Sequence, residues 1–265
     1  MKPFIKISVL ATLLLLMGTS AKRRPTTLFM AGDSTMADKE ELVESPERGW
    51  GQLFPTYVKE NLHIENHAKN GRSTRSFITE GRWDDLLGRV QKGDIVLIQF
   101  GHNDEKSEDS RRYADTTVYR YNLIRMVHDV REKGATPILA TPIARREFNE
   151  QGELTDRHGA YPDVVRKLAQ DLSVDMIDLH KTSTELIKEL GPERSKELYM
   201  NVPAGVYSKF PEGKIDNTHL TEKGALEIGK MAADAIKSQK IKPLKKYLRK
   251  EKDRVITYTT PADIK

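Results

Sequence analysis

The chain contains no cysteine. That removes disulfides, zinc–thiolate sites and cysteine nucleophiles together. Without cross-links, stability has to come from the size of the hydrophobic core, which 265 residues with 37% hydrophobic content can supply. Long apolar runs are also scarce. The longest of note, "ISVLATLLLLM" from Ile7 to Met17, is too short to span a bilayer comfortably. It follows Lys2 and Lys6 and precedes the small residues "GTSA" (18–21), the pattern of a secretory signal peptide, so residues 1–21 are set apart from the fold. No cysteine follows to carry a lipid, and the expected destination is secreted or periplasmic. There is no internal repeat and no Pro- or Gly-rich linker, which argues for a single domain over residues 25–239. Charge of one sign is in small excess. The net charge is +5, and setting aside Lys2 and Lys6 leaves 42 basic against 39 acidic side chains. Much of that excess lies in "KIKPLKKYLRKEKDR" (240–254), so residues 240–265 read as a solvated basic extension, with adhesion to polyanions as the sharper alternative.

What remains alternates. Strands are expected at 27–32, 63–68, 93–101, 136–142 and 174–179. Helices are expected at 49–62, 82–90, 115–134, 161–173, 182–191 and 221–239, with Pro55 weakening the first. "GDIVLIQFG" (93–101) is the clearest strand, an apolar run bounded by glycine and suited to burial on both faces. Strand–helix alternation predicts a single three-layer α/β/α domain around a mostly parallel five-stranded sheet. Ligands of such sheets bind beyond the carboxyl ends of the strands, so the residues at those ends carry the functional reading.

Asp33-Ser34 ends the first strand. "NGRSTRSF" (70–77), "GHND" (101–104) and "TPIARREF" (141–148) follow later ones, and "DNTHL" (216–220) precedes the last helix. Ester hydrolysis needs a nucleophile, a base, a group that orients the base, and donors for the developing oxyanion. Ser34 is the candidate nucleophile, on a strand-to-helix turn whose N–H groups favour negative charge. His219 is the candidate base, and Asp216, three residues earlier on a turn or first helical turn, can reach its Nδ1–H. The Ser34 and Gly71 N–H groups and the Asn103 amide are candidate oxyanion donors. Asp33 caps the helix expected after it, His102 and Asp104 orient the loop around Asn103, and Trp50 and Trp83 are core or pocket wall. Taken singly, each has an ordinary structural explanation, such as a cap, a turn or a loop hydrogen bond. Their joint order at strand ends is what points to chemistry.

That order resembles the SGNH/GDSL hydrolase superfamily, whose signature Ser, Gly, Asn and His match Ser34, Gly71, Asn103 and His219, with Asp216 in the place of the triad acid. "AGDSTM", "GWGQ", "NHAKNGRSTRSFITEGRW", "QFGHND", "TPIARREF" and "DNTHLTEKGA" are similar to one branch, the rhamnogalacturonan acetylesterases. The similarity runs over roughly residues 27–238. It implies a serine esterase that removes acetyl groups from acetylated pectin without a metal or other cofactor, acting as a monomer on a poly- or oligosaccharide and on neither nucleic acid nor membrane. Arg72, Arg75, Arg82, Arg145 and Arg146 lie near the strand ends and could hold galacturonate carboxylates, with surface ion pairing the other explanation. The alternatives are a related esterase for another acetylated glycan such as xylan, a lipid or thioester hydrolase, and a non-catalytic glycan-binding protein. A metal-dependent phosphoesterase would need a second histidine close after Asp33, which "GDSTM" does not supply.

Overall fold

In the computed structural model, which describes residues 24–254 and 256, the chain runs β1 (Thr27–Gly32), α1 (Trp50–Leu53), β2 (His63–Asn66), α2 (Thr74–Thr79), α3 (Arg82–Arg89), β3 (Ile95–Gln99), α4 (Thr116–Glu132), β4 (Thr136–Ala140), α5 (Tyr161–Asp171), β5 (Asp175–Ile177), α6 (Leu179–Arg194), β6 (Tyr199–Val202), β7 (Lys214–Leu220) and α7 (Glu222–Ser238). The proposed leader, residues 1–21, lies outside the described residues. Among the described residues no helix is long and apolar enough to cross a membrane.

β1 to β5 form one sheet in the order β2-β1-β3-β4-β5, and every pair is parallel. All residues of β1 and β3 are buried. Successive side chains on a strand point to opposite faces, so each apolar run feeds two cores. Leu28, Met30, Ile95, Leu97, Ile138 and Ala140 face a layer built from α1, α6 and α7. Phe29, Ala31, Val96, Ile98 and Leu139 face α2 to α5. Caps set the starts of the longer helices: Asp115 accepts from the Thr117 and Val118 N–H groups, Asp178 from Lys181 and Thr221 from Gly224. β1 lies between β2 and β3, so the chain leaves it in both directions across the sheet. A crevice opens at such a reversal, between the loops that follow β1 and β3.

Two expectations are corrected, and one pair of strands was not foreseen. Residues 49–62 are not one helix. Four residues of α1 give way to a 3-10 turn at Phe54–Tyr57 with Pro55 near its start, because proline lacks the N–H that would continue the α-helix. β6 and β7 form an antiparallel pair that local pattern did not reveal. The basic segment after residue 239 is not a solvated extension up to residue 254. Ile241, Leu244 and Tyr247 are buried, Val58 pairs with Leu248, and Lys59 N–H and Arg249 N–H donate to Tyr247 and Tyr57 carbonyls at 2.8 and 2.9 Å. Apolar residues at 241, 244 and 247 form the buried stripe of one turn of chain, while Lys242, Lys245, Lys246, Lys250 and Lys252 point outward.

Leu244→Ala should therefore cost about 2–5 kcal/mol, lowering Tm by on the order of 5–15 °C. Thermal unfolding by circular dichroism reads this directly, and a detached tail would leave Tm unchanged.

Candidate active site

Ser34 sits one residue beyond Asp33, where β1 ends. The Asp33 carbonyl accepts from Met36 and Ala37 N–H at 3.2 and 3.0 Å, and its Oδ1 accepts from Thr35 N–H and Oγ1–H at 2.9 and 2.8 Å. Asp33 therefore caps a single turn, and the helix expected to follow it is absent. The Thr35, Met36 and Ala37 N–H groups are all spent on Asp33, so no helix N-terminus stands behind Ser34. Beneath the turn, Trp50 Nε1–H donates to Gln99 Oε1 at 2.6 Å and Gln99 Nε2–H to Thr35 Oγ1 at 2.9 Å, all buried. A Cβ on Gly49 would lie 2.1 Å from the Ala37 carbonyl oxygen, so only glycine lets α1 dock so closely against the turn. From the other side Lys39 Nζ donates to the Ser34 carbonyl at 2.8 Å and Asn70 Oδ1 at 2.7 Å, and pairs with Glu47 at 2.9 Å.

His219 lies on β7, not on the turn or helix start that the sequence suggested. The pairing of β6 with β7 jumps from Tyr199–Leu220 to Met200–Asp216, leaving residues 217–219 bulged out of register. Asp216 closes the bulge: its Oδ1 accepts from Thr218 and His219 N–H at 2.9 and 3.0 Å. Its Oδ2 lies 2.8 Å from His219 Nδ1 and 3.2 Å from Lys214 Nζ. Burial alone would raise the Asp216 carboxyl, but the imidazole and the two N–H donors outweigh it and hold the group far below the usual carboxylate range. A carboxylate can only accept, so Nδ1 carries the hydrogen and Nε2 presents its lone pair. His219 Nε2 stands 2.9 Å from Ser34 Oγ.

Gly71 adopts φ +76°, a left-handed conformation that costs a residue with a Cβ about 1–2 kcal/mol. Asn103 is oriented by opposed partners: its Nδ2 donates to the Arg72 carbonyl at 3.0 Å and its Oδ1 accepts from Arg112 at 3.3 Å. One amide hydrogen remains for a ligand. Ser34, Gly71, Asn103 and His219 line one cleft of about 330 Å³, together with Glu47, Asn70, His102, Lys106, Arg112, Arg145 and Thr218.

Buried ionisable groups back this cleft. His102 Nδ1 is 3.4 Å from Asp33 Oδ2. Burial pushes the His102 imidazole down to about 4 despite the neighbouring carboxylate. Asp33, which burial would raise, is held at about 2 by His102 and the Thr35 donors. Asp104, wholly buried, is pushed up to about 8 by desolvation, against the pull of the Thr74 N–H and hydroxyl that donate to it. Asp104 thus ties the loop to α2 from behind through Thr74, while His102 lines the cleft and meets the His158 ring edge-on. Trp50 and Trp83 are both core, Trp83 on the opposite face with its Nε1–H on Asp129 at 2.8 Å.

Four of the five arginines turn away from the cleft. Arg72 and Arg82 pair with Glu80, Arg75 donates to the Tyr113 carbonyl, and Arg146 is spent on Ser195, Asn217 and the Pro192 carbonyl. Arg145 alone lines the cleft. It pairs with Glu105 at 2.7 Å and donates to Thr218 Oγ1 and the His102 carbonyl. Sequence reasoning missed Thr35, Lys39, Glu47, Gln99, Lys106, Arg112 and Thr218. Gln99 carried a signal, a polar residue in a strand otherwise apolar on both faces. The others had none.

A parallel sheet of this topology, with such groups gathered at its carboxyl edge, is the framework of a carboxylic ester hydrolase. Residues 30–225 match the GDSL-like lipase/acylhydrolase family. The chain is 39% identical over 226 residues to a Bacillus subtilis protein named rhamnogalacturonan acetylesterase RhgT, covering 85% of this chain and 95% of that one. It is 33% identical to a second from that organism, named probable rhamnogalacturonan acetylesterase YesY, covering 79% and 92%. The crystal structure of B. subtilis YxiM superposes with a TM-score of 0.68 at 27% identity, over 82% of this chain and 57% of that longer one. The chain belongs to the GDSL-like lipase/acylhydrolase family and is a carboxylic ester hydrolase.

The raised Asp104 has a measurable consequence. The folded protein keeps its proton up to about pH 8, whereas the unfolded chain ionises near the ordinary value of 3.8. Stability from this group is full below pH 4 and is lost as pH rises towards 8. Neutral His102 runs the other way, losing stability as pH falls from 6.5 to 4. In the comparison of Asp104→Asn with the parent the His102 contribution cancels. The variant-minus-parent stability difference should climb by up to roughly 1.4 kcal/mol per pH unit from pH 4 to 8, then level off. Denaturant unfolding at a series of pH values measures it.

Proposed function

We propose that this chain is an exported serine acetylesterase that removes acetyl groups from acetylated pectin of the rhamnogalacturonan type. Ser34 is the nucleophile, His219 the base, and Asp216 the group that fixes the imidazole. Ser34 Oγ attacks the acetyl carbonyl carbon while its proton passes to His219 Nε2. The negative charge on the carbonyl oxygen is met by the Ser34 and Gly71 N–H groups and the free hydrogen of the Asn103 amide. The tetrahedral intermediate collapses with cleavage of the carbon–sugar oxygen bond, and His219 returns the proton to the departing hydroxyl. Water then attacks the acetyl-serine, its proton going to His219 and from there to Ser34 Oγ, and acetate leaves.

The observation that carries this reading is the 2.9 Å approach of His219 Nε2 to Ser34 Oγ, with Asp216 2.8 Å behind the ring. Two relatives named as rhamnogalacturonan acetylesterases, one of them as probable, support the substrate. Apart from Gly71, the residues that line the cleft carry polar or charged side chains, which disfavours a long acyl chain and so a lipid hydrolase. The leader-like composition of residues 1–21 supports export.

Acetate release from a panel of acetylated polysaccharides, before and after backbone cleavage, tests the reading. Release is expected from rhamnogalacturonan, with acetyl nitrophenyl esters cleaved well above octanoyl ones. Ser34→Ala should abolish release; parental rates in that variant would end the assignment. Asn103→Ala should lower kcat by on the order of 10²–10³ with a smaller effect on KM, as measured in steady-state assays.

A further inference from the structure

The charges around the cleft are matched in pairs, with one exception. Lys39 is held by Glu47 at 2.9 Å, Arg145 by Glu105 at 2.7 Å and Arg112 by Asp109 at 2.8 Å. Glu105 is further engaged by His158 at 2.7 Å, and Asp109 by Arg111 at 3.3 Å. Lys106 lines the same cleft as Ser34 and His219 and has no ion-pair partner among the described residues. It is half-buried on the turn that follows Asn103, where its N–H reaches the Asn103 carbonyl at 3.4 Å.

We infer that Lys106, grouped with Arg112 and Arg145 on the wall of the cleft, binds the carboxylate of a uronic acid unit in the glycan that carries the acetyl group. The inference rests on the pectin reading above and adds the residue that tells an acidic backbone from a neutral one. Three cations converge there with only two carboxylates in direct contact, so the wall has one positive charge to spare. An ammonium is a compact charge on a flexible stem, suited to a carboxylate whose position is set mainly by the acetyl group in the cleft. Burial, followed by the guanidiniums of Arg112 and Arg145, pulls the Lys106 ammonium below the ordinary lysine range, with Glu108 and Glu105 opposing at longer range. A bound carboxylate would counter the like-charge repulsion. Arg72, Arg75, Arg82 and Arg146 are committed elsewhere, which leaves this wall as the one place where the arginine-based expectation can be met.

The experiment compares one acetylated galacturonate-containing oligosaccharide with free carboxyl groups against the same material with its carboxyls methyl-esterified. The parent should show kcat/KM about tenfold higher on the acid form, mainly through KM, and the preference should shrink as salt is added. Lys106→Met should bring the ratio of the two substrates close to one, and Lys106→Arg should retain most of the preference. Thermal melts of both variants matching the parent would place the effect in binding. A parent that releases acetate from both forms equally overturns the inference while leaving the pectin reading intact, as does a preference that survives in Lys106→Met. A parent that releases acetate from neither form, but does so from a neutral acetylated glycan, overturns both.

Discussion

Everything proposed for the cleft depends on one contact closing between residues 185 positions apart, His219 Nε2 and Ser34 Oγ. Neither partner is placed by its own neighbours alone. Ser34 is fixed because β1 ends against β3 and the turn beyond it is gripped through Thr35, Gln99 and Trp50. His219 is fixed because Asp216 draws two N–H groups into a bulge of β7, which swings the imidazole out of the pleat. The hydrophobic sheet supplies the rigidity, and the hydrogen bonds convert it into the positioning of individual atoms.

The surroundings of that contact are electrically expensive. Asp33, His102 and Asp104 are all but removed from water within a few residues of Ser34 and Asn103. They are tolerated because their protonation states adapt: His102 and Asp104 stay neutral over the middle of the pH range, and only Asp33, with two donors from Thr35, keeps its charge. The loop bearing Asn103 is thereby held by groups that would each destabilise the fold if charged and unpaired. On the open side, Lys39 ties the Ser34 turn to Asn70 and so to the neighbouring Gly71.

The central fold was legible in the sequence, since runs such as "IVLIQ" and "TLFMAG" are short, apolar and bounded by breakers, and only a doubly covered sheet accommodates several of them. The five parallel strands and most of the long helices follow from that local information. The β6–β7 pair did not, because β6 is only four residues long and β7 is mostly polar, so neither carries a strand pattern until the two are paired. The packing of residues 240–254 was hidden for a related reason: four scattered apolar residues, Ile241, Leu244, Tyr247 and Leu248, among eight cations read as a charged tail until Tyr57 and Val58 are brought beside them. Among the site residues, Ser34, Gly71, Asn103, Asp216 and His219 were visible as an ordered set of motifs, and all five converge on the cleft or directly behind it. The residues that aim them, such as Thr35 and Lys39, were not visible, because a single hydrogen bond to a distant backbone leaves no periodic trace.

The docked tail has a consequence for access. Arg24 and Thr26, the entrance to β3 at Asp94, and Lys246 with Tyr247 gather around one depression, so the segment that enters β1 and the one that follows α7 meet at the amino edge of the sheet. Ser34 and His219 lie at the carboxyl edge, on the far side of the domain. Surface changes made around that depression would therefore leave the approach to the cleft untouched.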